Sequence, residues 1–263
     1  MNNSIIDVSA LRRNNRQLAD GLIQPATTQV VEDIVEEHDA EPIKNLEDIS
    51  RISDYFLAKE KYRDNMLFIL GINFGLRISD LRTLRFGNLI NDNFTFKDKF
   101  PVFEKKTRNT RKKKVNRYIT INIAVIEAVT TYLEHTPGVT LSDCMFVSES
   151  TNGTRDMNKP ISSRSVNRTL KTVAKDLGLN MRLSTHSLRK TFCYHQMLMS
   201  HNDSRKLMLL QKMLNHSSPM QTLTYIGITY EEIEQAYSNL NLGSKEYNYL
   251  VNSDLVEIEE LVG

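Results

Sequence analysis

Long apolar runs are missing from this chain, and their absence excludes a helical membrane span. The opening MNNSIIDVSA has no basic stretch followed by an apolar one, so it does not read as a signal peptide. Cysteine is scarce: Cys144 and Cys193 are the only two. They sit in unrelated contexts and give neither a zinc pattern nor a disulfide framework. A reducing cytoplasm fits such a chain. His186, His195 and His201 do not make the HExxH spacing of a zinc protease, and His195 and His201 read as packing or surface residues. There is no internal repeat and no low-complexity tract.

The 263 residues, 40% hydrophobic and 25% charged, are ordinary for a globular protein. They suffice for one large domain or two smaller ones. A net charge of +2 conceals a strong asymmetry. Residues 97–117 hold ten Lys and Arg against two acids, and 155–212 hold twelve against three. The first fifty residues hold ten acids and four bases, and from Glu231 onward eight acids face Lys245 alone. Two basic blocks flanked by acidic ends favour a polyanion partner such as DNA, although each block alone also reads as a solvated face.

The pattern along the chain is mainly α. Residues 1–44 read as an acidic segment or tether, with Leu18, Leu22, Val30, Val31, Ile34 and Val35 able to form one or two short helices. From Asn45 the helical signal is firm, with Leu46, Ile49, Ile52, Phe56 and Leu57 on one stripe. Asn65 is a candidate cap for MLFILGINFG, which is apolar all round and therefore central. Gly75 ends that helix. Ser79 is a candidate cap for the next one, with Arg77 at the junction and Asp80 as its nearest partner. FTFKDK, PVFEKKT and VNRYITI read as a three-stranded antiparallel sheet. Asp98-Lys99 would turn its first hairpin and the basic loop RNTRKKK its second. Residues 124–135 form an amphipathic helix, 144–148 a buried strand or loop, and 151–160 a polar loop with a turn at Asn152-Gly153. A helix over 162–177 carries Arg164, Arg168, Lys171 and Lys175 in one basic stripe, suited to a DNA backbone.

The stretch from 185 to 225 carries the chemistry. Helices are expected over 187–199 and 203–214. His186 and Arg189 are three apart, which puts them on one face of a helix. Tyr225 follows His216 by nine residues, across a turn and a short helix. Imidazoles, a guanidinium and a phenol in a basic context suggest chemistry on a phosphate, with Arg77 and Lys106 as upstream contributors. An amphipathic helix is expected over 231–240.

GLRISDL, then KKT entering a basic loop, then HSLR, then LNHSS with a tyrosine nine residues beyond, resemble the catalytic domain of the tyrosine recombinase (phage integrase) family. The resemblance covers about residues 45–240. It implies a mostly helical (α+β) domain that grips duplex DNA, followed by an acidic tail over 241–263 that docks in cis or in trans. It implies that Tyr225 attacks the scissile phosphate, that Arg77 and Arg189 clamp it, and that His186 and His216 donate to it or assist proton movement at Tyr225. Lys106 would be the general acid, with Asp80 holding Arg77. Neither metal nor other cofactor is expected. Lys105, Arg108, Arg111, Lys112, Lys113, Lys114, Arg164, Arg168, Lys171 and Lys190 are candidate DNA contacts. The expected partners are double-stranded DNA, further copies forming a dimer or tetramer on it, and an accessory DNA-bending or directionality factor. The expected place of work is the cytoplasm, at the nucleoid. Typical members carry a helical clamping domain ahead of this one, where this chain has an acidic segment, so a single-domain member and a truncated one both fit. The alternative activities are strand nicking and closing like that of a type IB topoisomerase, and DNA-bound regulation without recombination.

Overall fold

A computed structural model of the chain describes residues 5–15, 40–102, 117–148, 158–199, 204–214, 216 and 218–226. The expectations for the chain between 16 and 39, for the basic loop with Lys105, Lys106, Arg108 and Arg111 through Lys114, for the turn at Asn152-Gly153, for His201, for the helix over 231–240 and for the tail lie outside the described residues. In order the elements are α1 (Val8–Asn15), α2 (Leu46–Ala58), α3 (Tyr62–Phe74), α4 (Ile78–Leu81), α5 (Phe86–Leu89), β1 (Lys99–Val102), β2 (Arg117–Thr120), α6 (Ile123–Glu134), α7 (Ser163–Asp176), α8 (Thr185–Leu198), α9 (Ser204–Leu214) and α10 (Pro219–Ile226). The fold is mainly helical with a small antiparallel sheet.

Helix α3 is the centre. Met66, Leu67, Phe68, Leu70 and Phe74 are all buried, because α6 packs on one side of the helix and α8 on another. Its uniform apolarity is thus used on several faces. Asn65 is not its cap. Lys59 and Glu60 close the end of α2, the helix starts from Lys61 without a side-chain cap, and Asn65 lies inside, accepting from Ser53 Oγ at 2.8 Å. Ser79 is not a cap either: α4 starts from Arg77, whose carbonyl accepts from both Asp80 N and Leu81 N at 2.9 Å. On α2 the stripe narrows to Ile52 and Phe56, and Leu46 is exposed.

The expected three strands are two among the described residues. Asn91 and Thr95 close a tight turn through main-chain and side-chain bonds, with Phe94 at φ 57°. That turn takes up FTF, leaving only an isolated bridge from Ile90 to Phe96. Lys99, expected in a turn, begins β1 and pairs with Thr120. At the other end of the chain, Ile6 N donates to Val139 O at 2.8 Å, and Ile6 and Leu11 are buried in the main core. The start of the acidic segment therefore packs on the body of the protein.

Two glycines set how closely α8 approaches α3. Gly71 lies against Leu188, and Gly75, the left-handed cap at φ 57°, lies against Phe192. A Cβ on Gly75 would sit 2.3 Å from Phe192 Cδ1. Gly75→Ala is expected to cost more than the roughly 1–2 kcal/mol of a left-handed non-glycine residue, because ring and Cβ also collide. Urea unfolding midpoints check this. A midpoint equal to that of the wild type would show that the junction relaxes freely.

A second, smaller core joins α8, α9 and α10. Phe192, Cys193, Met197, Leu210 and Leu214 form it, with Tyr194, Leu207, Met213 and Tyr225 packed around. It holds the short helix that carries the tyrosine.

Candidate phosphate site at the junction of three helices

Helix α8 is anchored at its start. Ser184 Oγ accepts from His186 N at 3.2 Å, Ser187 Oγ accepts from Ser184 N at 3.0 Å, and Asn167 of α7 accepts from Thr185 N at 2.8 Å. This satisfies main-chain N–H groups that a helix start leaves open. It also fixes the first turn, where His186 is exposed and Arg189 is buried at 4% exposure. The two thus share a turn but differ in depth.

Two guanidiniums meet one carbonyl. Arg189 Nη2 donates to Leu214 O at 3.0 Å, and Arg77 Nη2 reaches the same oxygen at 3.4 Å. Residues 112 positions apart in sequence are thereby brought together at the end of α9. Asp80, at 5% exposure, lies one turn after Arg77 and is joined to it through the main chain. The link from α9 to His216 is equally tight: His216 N donates to Gln211 O at 3.0 Å, and Gln211 Nε2 donates to His216 O at 3.3 Å.

The His216 ring meets the Tyr225 ring edge to face, 5.1 Å between centroids. Lys190 Nζ lies 5.6 Å from the Tyr225 centroid. Burial pushes the Tyr225 phenol up to about 12, while Arg189 and Arg77 pull it the other way. Burial and then the same two arginines hold the His216 ring below the usual histidine value. At neutral pH the phenol is therefore protonated and the imidazole neutral. Absorbance at 295 nm should show this: the difference between wild type and Tyr225→Phe is expected to titrate near 12. A difference centred on 10, the ordinary tyrosine value, would mean that the phenol is solvated.

Arg77, Arg189, His216 and Tyr225 therefore converge, and Lys190 joins them from α8. Lys106 lies outside the described residues. His195 is placed elsewhere, with its Nε2 bonded to Ile43 O at 2.9 Å, as a packing residue. Arg164, Arg168, Lys171 and Lys175 are all exposed along α7, where they line a groove with Asn167 and Thr172. Asn167 also bonds α8, so the basic groove adjoins the turn that carries His186 and Arg189. Sequence reasoning missed the Leu214 carbonyl, which has no letter of its own, and Thr222, one hydroxyl among many. Among the described residues no group of three or more His, Cys, Asp or Glu is placed to hold a metal, and no helix is long and apolar enough to cross a membrane.

Comparison with known proteins gives the family of the chain. Residues 42–232 match the family described as the phage integrase family. The chain is 36% identical over 201 residues to a protein of Bacillus subtilis (strain 168) named probable integrase/recombinase YoeC, covering 76% of this chain and 96% of that one. It is 24% identical over 213 residues to the tyrosine recombinase XerC of Shewanella sp. (strain ANA-3), of which it spans 64%. In fold it matches the crystal structure of XerA recombinase, with a TM-score of 0.53 at 16% identity over 81% of this chain and 68% of that one. The Tn1549 transposon integrase, solved in complex with a circular intermediate DNA, also gives 0.53, at 17% identity over 78% of this chain and 67% of that one. The chain belongs to the phage integrase family, the class of tyrosine recombinases, which break and rejoin DNA strands.

Proposed function

We propose that the chain is a site-specific recombinase or integrase that cuts and rejoins duplex DNA through a 3′-phosphotyrosine at Tyr225. The observation that carries this reading is the shared grip of Arg77 and Arg189 on Leu214 O beside Tyr225. One neutral carbonyl draws two planar forks to one point, and a phosphate carries the charge and the several oxygens that such forks match.

In the reaction the Tyr225 oxygen attacks the scissile phosphorus and gives up its phenolic proton to His186. The bond to the 5′-oxygen of the next nucleotide breaks, leaving a 3′-phosphotyrosine and a free 5′-hydroxyl. Arg77 and Arg189 hold the non-bridging oxygens and stabilise the charge of the five-coordinate transition state. His216 donates to the same oxygens, His186 takes up the phenolic proton, and Asp80 supports Arg77. Lys106 protonates the leaving oxygen. The ester keeps the bond energy, so a 5′-hydroxyl from another strand can reverse the step. No metal or nucleotide cofactor takes part in this scheme. The stripe of Arg164, Arg168, Lys171 and Lys175 along the α7 groove supports a role in holding the DNA backbone,. Exchange between two duplexes requires more than one copy, so the working form is a dimer or tetramer on DNA, at the nucleoid in the cytoplasm. An accessory DNA-bending or directionality factor fits that assembly.

Strand exchange tests this reading. Duplexes that flank the gene are incubated with the full chain in chelator, beside an unrelated supercoiled plasmid. Recombinant products from the flanking sites alone are the expected result. Relaxation of any plasmid without recombinants would point instead to a nicking and closing enzyme. Binding without either product would favour a regulatory protein.

A further inference from the structure

Thr222 is fully buried on α10, one turn before Tyr225. Its Oγ1 lies 3.0 Å from His216 Nδ1. Among the described residues this ring nitrogen is the side-chain partner of that hydroxyl. A buried hydroxyl has one proton to place, and leaving it without an acceptor is costly. The proton therefore goes to Nδ1, which must accept it with its lone pair. The neutral ring then carries its own proton on Nε2.

We propose that Thr222 is a positioning residue that fixes the proton of His216 on Nε2, leaving that N–H to donate to the DNA phosphate. The inference rests on the function proposed above for the purpose of the donor, but not for the hydrogen bond itself. The tautomer matters because of what surrounds the ring. Arg189 from α8 and Arg77 from the α3–α4 junction add positive charge, Tyr225 lies on its own helix α10, and Lys190 stands beside that tyrosine. Burial and then the two nearby guanidiniums disfavour a third cation, so the ring meets its substrate neutral,. A neutral ring with its proton on Nδ1 would turn a lone pair toward a phosphate oxygen and repel it. A protonated ring would donate from either nitrogen and would not need Thr222.

Nitrogen-15 NMR of histidine-labelled full-length protein, above the pH at which the ring protonates, reads the tautomer directly. The His216 signal is assigned by its loss in His216→Gln. The wild type is expected to show the Nε2–H form alone. Thr222→Val, which keeps the shape and loses the hydroxyl, is expected to bring in the Nδ1–H form, while Thr222→Ser keeps the wild-type pattern. An Nδ1–H ring in the wild type, or a Val variant with the wild-type spectrum, would overturn the proposal.

Cleavage of a nicked duplex supplies the functional readout. Thr222→Val is expected to cleave roughly ten- to a hundredfold more slowly, the range for removing a group that orients a reacting residue, with DNA affinity unchanged and Thr222→Ser close to wild type. The deficit narrows as pH falls and the ring protonates. A deficit constant with pH, or shared equally by Ser, would overturn the positioning role. If the wild type cleaves no DNA, the proposed function falls, while the spectra still decide for or against Thr222.

Discussion

Tyr225→Phe is expected to remove the covalent protein–DNA adduct and to leave DNA binding in place. The ring stays packed against His216 and the small core of α8, α9 and α10, so only the oxygen is lost. In the proposed reaction that oxygen becomes the ester. Deleting an enzyme's nucleophile costs roughly a millionfold in rate, which on a denaturing gel is no adduct at all. A mobility shift equal to that of the wild type shows that the binding surface is intact. Equal adduct from both proteins would mean that another residue carries the DNA.

Arg189→Ala is expected to have the next largest effect. Arg189 is almost fully buried and bonds the carbonyl at the end of α9. Removing one preorganised donor from a charge-stabilising site costs on the order of 10²–10³ in rate, and here a fork with two ends is lost. Some stability is lost with it, because Leu214 O loses its shorter bond. Arg189→Lys separates the two effects. It keeps the charge and loses the planar fork, so its folding should approach that of the wild type while cleavage stays low. Single-turnover cleavage and thermal unfolding of both variants measure this. Unimpaired cleavage by Arg189→Ala would remove the phosphate clamp from the scheme.

The helical frame was readable because its signals are local. The apolar run of α3, the glycine that ends it and the basic stripe of α7 each follow from periodicity and side-chain type. The convergence of Arg77, His216 and Tyr225 on Arg189 was not local: residue types in a basic context suggested it, and the family resemblance gave each residue its role. Starts of elements were harder. Asn65 and Ser79 look like caps, but the turn at 59–61 and the bend at Arg77 were already in place, and Asn65 was drawn into the interior by Ser53. The sheet was misjudged because Phe94, Thr95 and Phe96 have strand character, while the polar Asn91 and Asn93 around them close a turn. The burial of Ile6 and Leu11 was hidden by the acidic residues that follow them. Leu214 O and Thr222 were invisible, since neither a carbonyl nor a buried hydroxyl announces its partner in sequence.

Tyr225 is the residue proposed to join DNA. The most direct test of this role is to trap the wild-type full chain on a nicked duplex in chelator, digest the adduct and sequence the peptide that carries nucleotide. A single modified peptide, with the phosphate ester on Tyr225, is the expected result. An ester on any other residue, or no adduct on DNA that the protein demonstrably binds and that carries its own recombination site, would contradict it.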